Sequence, residues 1–313
     1  IVVKKNQRDV SSIEDQVISM YAKGMTVRDI QNHLQNIYGI EASPALISDI
    51  TNKIYPLIKE WQNRPLQTVY AAVFIDAIHY KVRQNSQIVK KAAYMAIGID
   101  LDGRKDVLGI WIGENESAKF WLNILNELKT RGVQDILIIC TDNLSGISDS
   151  IAASFPKTDI QKCIVHQIRN STKYVSYKDL KSFTADLKPI YQASSEDNAR
   201  YQLDNFASKW EAKYPVSVKA WQKNWDELVT FFKYPSEIRR IIYTTNVIES
   251  YNRQLRKVTK AKSVFPDDDS LMKMLYLVTM DVTEKWTMRI PNWGIILAQL
   301  SLQFEERVTN YIN

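Results

Sequence analysis

The sequence predicts an α/β fold: a mixed sheet interrupted by an all-helical insertion and preceded by a helix-turn-helix-like subdomain. Three observations carry this expectation. Apolar runs of strand length stand at 69–75, 89–99, 105–112 and 136–140, separated by tight turns or a single amphipathic helix. Residues 171–240 repeat apolar and aromatic side chains at helical spacing. Residues 12–55 hold three short helical patterns with strong start and stop signals. The expected units are a helical DNA-binding subdomain at 1–55, a linker at 56–68, a first core segment at 69–170, the insertion at 171–240, and a second core segment with C-terminal helices at 241–313.

The elements follow in chain order. Residues 12–23 turn Ile13, Val17, Met20 and Tyr21 inward, and Gly24 stops the helix. Thr26 and Asp29 form a capping-box variant for a second helix carrying Val27, Ile30, Leu34 and Ile37. Ser43-Pro44 starts a third, an N-cap serine followed by proline at the first helical position. As a reading helix it would expose Ser48, Thr51, Asn52 and Lys53 to a groove of DNA, although a plain helical subdomain fits as well. Pro56 and Pro65 suggest a linker. The first three strands, joined by turns such as Asp100-Leu101-Asp102-Gly103, suggest an antiparallel meander. Ser117 caps a helix over 117–131 whose buried side is Phe120, Trp121, Ile124, Leu125 and Leu128. The unbroken apolar run 136–140 marks a strand covered on both faces. A helix at 147–155 and a short strand or strand-to-helix passage at 160–165 follow. This β-β-β-α-β-α-β order is that of the ribonuclease-H-like fold.

Composition bounds the function. The 313 residues are 45% hydrophobic and 24% charged, as in a globular protein large enough for two or three domains. A net charge of +6 favours a polyanionic partner. Two cysteines cannot build a disulfide framework, so a reducing, cytoplasmic compartment is expected. No apolar run is long enough to span a membrane, and no signal-peptide or nucleotide-binding pattern is present. The chain begins at Ile1, as expected of a piece of a longer protein.

Chemistry concentrates at three acids. Asp76 ends the first, central strand and Asp142 ends the strand expected beside it, so the two carboxylates can share cations. The third acid belongs to a helix over 244–262. There Val247, Ile248, Tyr251, Leu255 and Val258 share one face, and Glu249, Arg253, Arg256 and Lys260 the opposite one, flanked by Asn246 and Lys257. A carboxylate at the head of a basic stripe can pair a divalent ion with phosphates, and a solvated helix with a Glu249–Arg253 ion pair is the plainer alternative. Cys163 and His166 could seed a zinc site, but two ligands do not close one, and a packing or hydrogen-bonding role fits them better. His79, three residues past Asp76, could touch DNA or order water, or be a plain strand-end histidine.

The stretches FIDAIHYKVR around Asp76, CTDNLSGI around Asp142, KCIVHQIRN and YTTNVIESYNRQLRKVTK resemble the Mutator-type DDE transposases of bacterial insertion sequences. One departure is Asn143, where that family usually has glycine; asparagine tolerates a left-handed turn. The resemblance implies a bacterial, nucleoid-associated enzyme with Asp76, Asp142 and Glu249 as its catalytic, metal-holding acids. The expected chemistry is phosphoryl transfer with two ions, Mg²⁺ or Mn²⁺, Asp76 bridging both. Arg253, Arg256, Lys257, Lys260 and Asn246 would hold double-stranded DNA at the element ends and target. Joining two ends calls for at least a homodimer. A nuclease of the same fold, or a non-catalytic DNA-binding derivative, are the rival readings. An exposed tryptophan of the insertion could stack on an unpaired base, although core packing is the plainer role for Trp210, Trp221 and Trp225.

Overall fold

A computed structural model describes residues 10–114, 116–243 and 246–312. Four helices open the chain: α1 (Val10–Ala22), α2 (Val27–Tyr38), α3 (Pro44–Asn52) and α4 (Tyr55–Asn63). The predicted starts are made as read. Thr26 and Asp29 cap α2 reciprocally, and the Ser43 hydroxyl accepts from the Leu46 amide ahead of Pro44. The segment expected as a linker is instead α4. Pro56 sits in its first turn, where a missing N–H costs nothing, and Ile58 is buried with Ile54 and Tyr276.

The sheet has five strands in the order β3-β2-β1-β4-β5. They are β1 (Val69–Gln84), β2 (Gln87–Asp100), β3 (Lys105–Gly113), β4 (Asp135–Thr141) and β5 (Asp159–Lys162). The first three pair antiparallel; β4 and β5 run parallel to β1. The first strand runs well past Asp76, correcting the expected end at residue 75. Beyond Asp76 the alternation Ile78, Tyr80, Val82 inward and His79, Lys81, Arg83 outward continues a half-buried strand. A two-residue turn at Asn85-Ser86, both with positive φ (48° and 64°), closes the β1–β2 hairpin.

Both faces of the sheet are covered. Helix α5 (Ala118–Thr130) and helix α6 (Ile147–Ser154) pack Trp121, Leu125 and Ile151 against Val73, Ile75 and Ile139. The other face carries Ala72, Phe74, Ile78 and Cys140, buried with residues of later helices. Next come α7 (Ile164–Thr172), α8 (Tyr177–Tyr191), α9 (Glu196–Trp210), α10 (Pro215–Lys223), α11 (Trp225–Leu228) and α12 (Ser236–Ile242). The aromatic-rich stretch from Trp221 to Phe232 passes through the end of α10, α11 and a 3₁₀ turn at Thr230–Lys233. The Gln161 side chain donates to the Leu228 carbonyl at 3.0 Å and accepts from the Phe231 amide at 2.7 Å, fixing this helical region to β5. Trp210, Trp221 and Trp225 are all buried, so these rings serve the core and none is free to stack on a base.

The chain ends with α13 (Asn246–Thr259), α14 (Asp268–Thr283), α15 (Trp293–Phe304) and α16 (Glu306–Thr309). Asp267 caps α14: its carboxylate accepts from the Ser270 amide at 2.6 Å. The next residue, Asp268, pairs with buried Lys91 at 2.6 Å. No helix among the described residues is long and apolar enough to cross a membrane.

Candidate active site

Asp76 lies where β1 loses its parallel neighbour. The β1–β4 ladder ends at Ile75 opposite Thr141, and each of those residues is followed by an aspartate, Asp76 and Asp142. The expected adjacency of the two acids thus follows from register, even though β1 continues along β2 with Asp76 opposite Met95. Strand alternation puts Asp76 on the face of Phe74 and Ile78, the face buried with Ile248 and Leu255 of α13. It is 5% exposed. One carboxylate oxygen accepts from the Ala77 amide at 2.7 Å and the other from the Asn252 side-chain amide. Burial first, then the like charge of Asp142, pushes its pKa up to about 7.

Asp142 meets His166 in a close ion pair. The Cys163 amide donates to the Thr141 carbonyl at 2.9 Å, which brings the start of α7 to the end of β4. Ligand atoms of Asp142, Cys163 and His166 lie within 4.8 Å of one another, so the two-residue motif gains a third member that spacing alone could not supply. Burial disfavours a charged His166, but hydrogen bonding to Asp142 and Cys163 outweighs it and raises the pKa to about 10. His166 Nδ1 is engaged by Asp142, so as it stands the trio steadies the Asp142 carboxylate.

The expected facing of α13 holds with two changes, the first being that Glu249, expected beside the exposed cations, is half-buried. Ile248, Tyr251 and Leu255 are buried and Arg253, Arg256, Lys257 and Lys260 are exposed, but Asn252 is also buried, 1% exposed. It belongs to neither of the two faces that the helical spacing predicts. Its signal was available: a polar residue three positions past Glu249 and between Ile248 and Leu255 in the apolar stripe. Asn252 bonds Asp76, so it anchors α13 beside the two aspartates. Glu249 stands one turn earlier, about 4.5 Å along the axis, and residues three apart share a face. Glu249 Oε1 and Asn252 Oδ1 are both buried without a hydrogen-bond partner. Two unsatisfied oxygens on the helix turn beside two aspartates are a donor set suited to a hard divalent cation. Thr244 and Thr245, at the head of this motif, lie outside the described residues.

Other expected site residues fall elsewhere. Strand alternation turns His79 to the opposite face from Asp76, where it is exposed, so it orders nothing beside that carboxylate. Asn143 does not take a left-handed backbone; the residue that does so in this turn is Gly146, φ 74°. Of the groove-reading face expected of α3, Thr51 turns inward, while Asn52 and Lys53 stay exposed and bond within the chain. Thr51 is buried, and Lys273 Nζ donates to Thr51 Oγ1 at 3.3 Å and to Asn52 Oδ1 at 2.8 Å. Lys53 pairs with Glu14 at 2.6 Å, and the Ser48 carbonyl accepts from the Thr51 hydroxyl. Asn246 is exposed and lines a groove of about 500 Å³ with Lys105, Lys285 and Trp286.

The family model described as "Transposase, Mutator family" matches residues 1–289. A probable transposase for an ISRM3-like insertion sequence element of Sinorhizobium fredii is 45% identical over 310 residues, 99% of this chain and 78% of that one. The transposase for insertion sequence element ISRM3 of Rhizobium meliloti is 44% identical with the same coverage. A probable insertion-sequence transposase of Corynebacterium diphtheriae is 43% identical over 285 residues, 91% of this chain and 83% of that one. Among solved structures, the Drosophila P element transposase strand transfer complex overlaps 96% of this chain and 86% of that one, at 10% identity and a TM-score of 0.36, too low to carry any argument.

Proposed function

This chain belongs to the Mutator family of transposases, and on that premise we propose that Asp76, Asp142 and Glu249 form the centre at which it cuts and joins DNA. The observation that carries the reading is the Asn252–Asp76 bond. It ties the helix bearing Glu249 to the strand bearing Asp76, which supports a common site for acids remote along the chain.

Asp76, Asp142 and Glu249 would hold two divalent ions, Mg²⁺ or Mn²⁺, whose charge would stabilise the phosphorane-like transition state and make water a better nucleophile. The remaining work belongs to the chain's own side chains. Asn252 and the Ala77 amide fix the rotamer of Asp76 by holding one oxygen each. His166 holds Asp142 and offsets part of the negative charge gathered by three carboxylates. Arg253, Arg256, Lys257 and Lys260 extend from the same helix as a row of exposed cations that would bind backbone phosphates without reading sequence.

The reaction would run in two in-line displacements. Attack by water on the phosphodiester at an element end frees a 3′-hydroxyl; attack by that hydroxyl on target DNA joins the two. Bringing two ends together calls for a homodimer on double-stranded DNA. The test supplies pre-cut ends bearing 3′-hydroxyls, a target duplex and Mg²⁺. Joined product is expected, and hydrolysis of the target without joining would reduce the protein to a nuclease.

A further inference from the structure

Beyond the three acids, a groove of about 550 Å³ runs between the free edge of β1 and the C-terminal half of α13. One rim carries His79 and Lys81 of β1 and Lys90 of β2; the other carries Arg256, Lys260 and Lys262. The chain after α13 closes the far end by pairing with β1: the Phe265 amide donates to the Lys81 carbonyl at 2.8 Å. The groove starts two residues past Asp76 on β1 and follows the helix that carries Glu249. It therefore leads directly away from the site.

Its charge is one-sided. On the hairpin the first acid after Asp76 is Asp100, and on the helix side the first after Glu249 is Asp267. Among the described residues, Lys81, Lys90, Arg256, Lys260 and Lys262 form no ion pair with an acidic side chain, whereas the buried Lys91 next to Lys90 forms two. Asp29 and Glu116 are the acids whose charge reaches Lys262 and His79, and neither pairs with them. Lys81 and Lys90 stand directly opposite each other in the β1–β2 register. Like charges in that position destabilise a sheet, and either could be exchanged for a neutral residue at an exposed position without disturbing the core. A repulsive pair on one rim and exposed Arg256 and Lys260 on the other, with Lys262 held over the Tyr21 ring at 4.3 Å, make a groove whose charge a polyanion backbone neutralises.

We propose that this groove carries the DNA backbone as it leaves the acidic centre, with Lys81 and Lys90 as phosphate-binding residues on the hairpin side. The inference rests on the transposase reading of the acids, but names a DNA path and two residues that reading does not contain. Contacts here are to phosphate, so they set affinity and register rather than sequence choice.

The test is the salt dependence of binding. The full chain is titrated with a labelled duplex of arbitrary sequence at several salt concentrations. The parent is compared with the Lys81→Gln/Lys90→Gln and Lys81→Arg/Lys90→Arg pairs, each checked by thermal melting. Losing two phosphate contacts lowers the slope of log K against log salt by about 1.8, so raising salt fourfold weakens the Gln pair about tenfold less than the parent. The Arg pair keeps the parent slope. An unchanged slope in the Gln pair, beside a flattened one in Arg253→Gln, would overturn the groove and leave the acidic centre standing. A parent with no salt-dependent affinity for duplex DNA would sink both.

Discussion

In metal-free protein, Asp76→Asn is expected to raise stability at alkaline pH, because the parent pays for an ionised carboxylate it does not neutralise. The Asp76 carboxyl is 5% exposed and beside Asp142, and its pKa is pushed up to about 7. In the unfolded chain an aspartate titrates near 3.9. A raised folded value means that this group's share of stability is complete below about pH 4 and is lost progressively up to about pH 7. At about 1.4 kcal/mol per unit, the loss between pH 5 and pH 8 comes to roughly 2–3 kcal/mol, some of it shared with Asp142. His166 adds a second decline further up, since its raised value of about 10 makes its contribution complete below about 6.5 and lost as pH rises through 10. Asparagine removes the first slope but not the second. It also leaves either the Ala77 amide or the Asn252 side-chain amide without an acceptor, at a cost of about 1–3 kcal/mol. The net gain is therefore small at pH 8 and negative at pH 5. Urea denaturation of both proteins in chelator, at pH 5, 6, 7 and 8, measures the difference. Parallel pH profiles for parent and variant would refute the electrostatic account of the site.

Further outcomes follow from the same contacts. Asn252→Leu, near-isosteric but unable to donate, should lower end joining about 10–100-fold with duplex affinity unchanged; joining at the parental rate would remove Asn252 from any positioning role. Trp221→Ala, at a buried ring whose indole N–H donates to Ser171 at 2.9 Å, should cost about 3–5 kcal/mol of stability in a denaturant titration. If it instead folded normally and lost DNA affinity, the ring would face substrate. Thr51→Val should cost about 1 kcal/mol and leave DNA binding intact, because Thr51 serves Lys273 inside the chain; loss of sequence-selective binding would restore α3 as a reading helix.

Much of this architecture was legible in the sequence, for identifiable reasons. Helix starts at Thr26 and Ser43 were written in local side-chain chemistry, which needs no tertiary information. The strand pairings around Asp76 and Asp142 were readable because apolar runs have the length of strands and both end on an acid. Where the reading failed, tertiary context decided. Pro56 suggests a linker, but proline in the first turn of a helix looks the same until Tyr276 packs against Ile58. The strand beyond Asp76 was hidden because its turn, Asn85-Ser86, lacks the glycine that usually marks a tight hairpin. At the site, Asn252 and the approach of Cys163 and His166 to Asp142 depend on contacts between residues distant in the chain, which periodicity cannot reveal.

The most direct measurement is anomalous diffraction from crystals of the full chain soaked in Mn²⁺. The account predicts manganese bounded by Asp76, Asp142 and Glu249, with His166 contacting Asp142 rather than the ion. Manganese held by Asp142, Cys163 and His166 alone, with Glu249 left out, would contradict it.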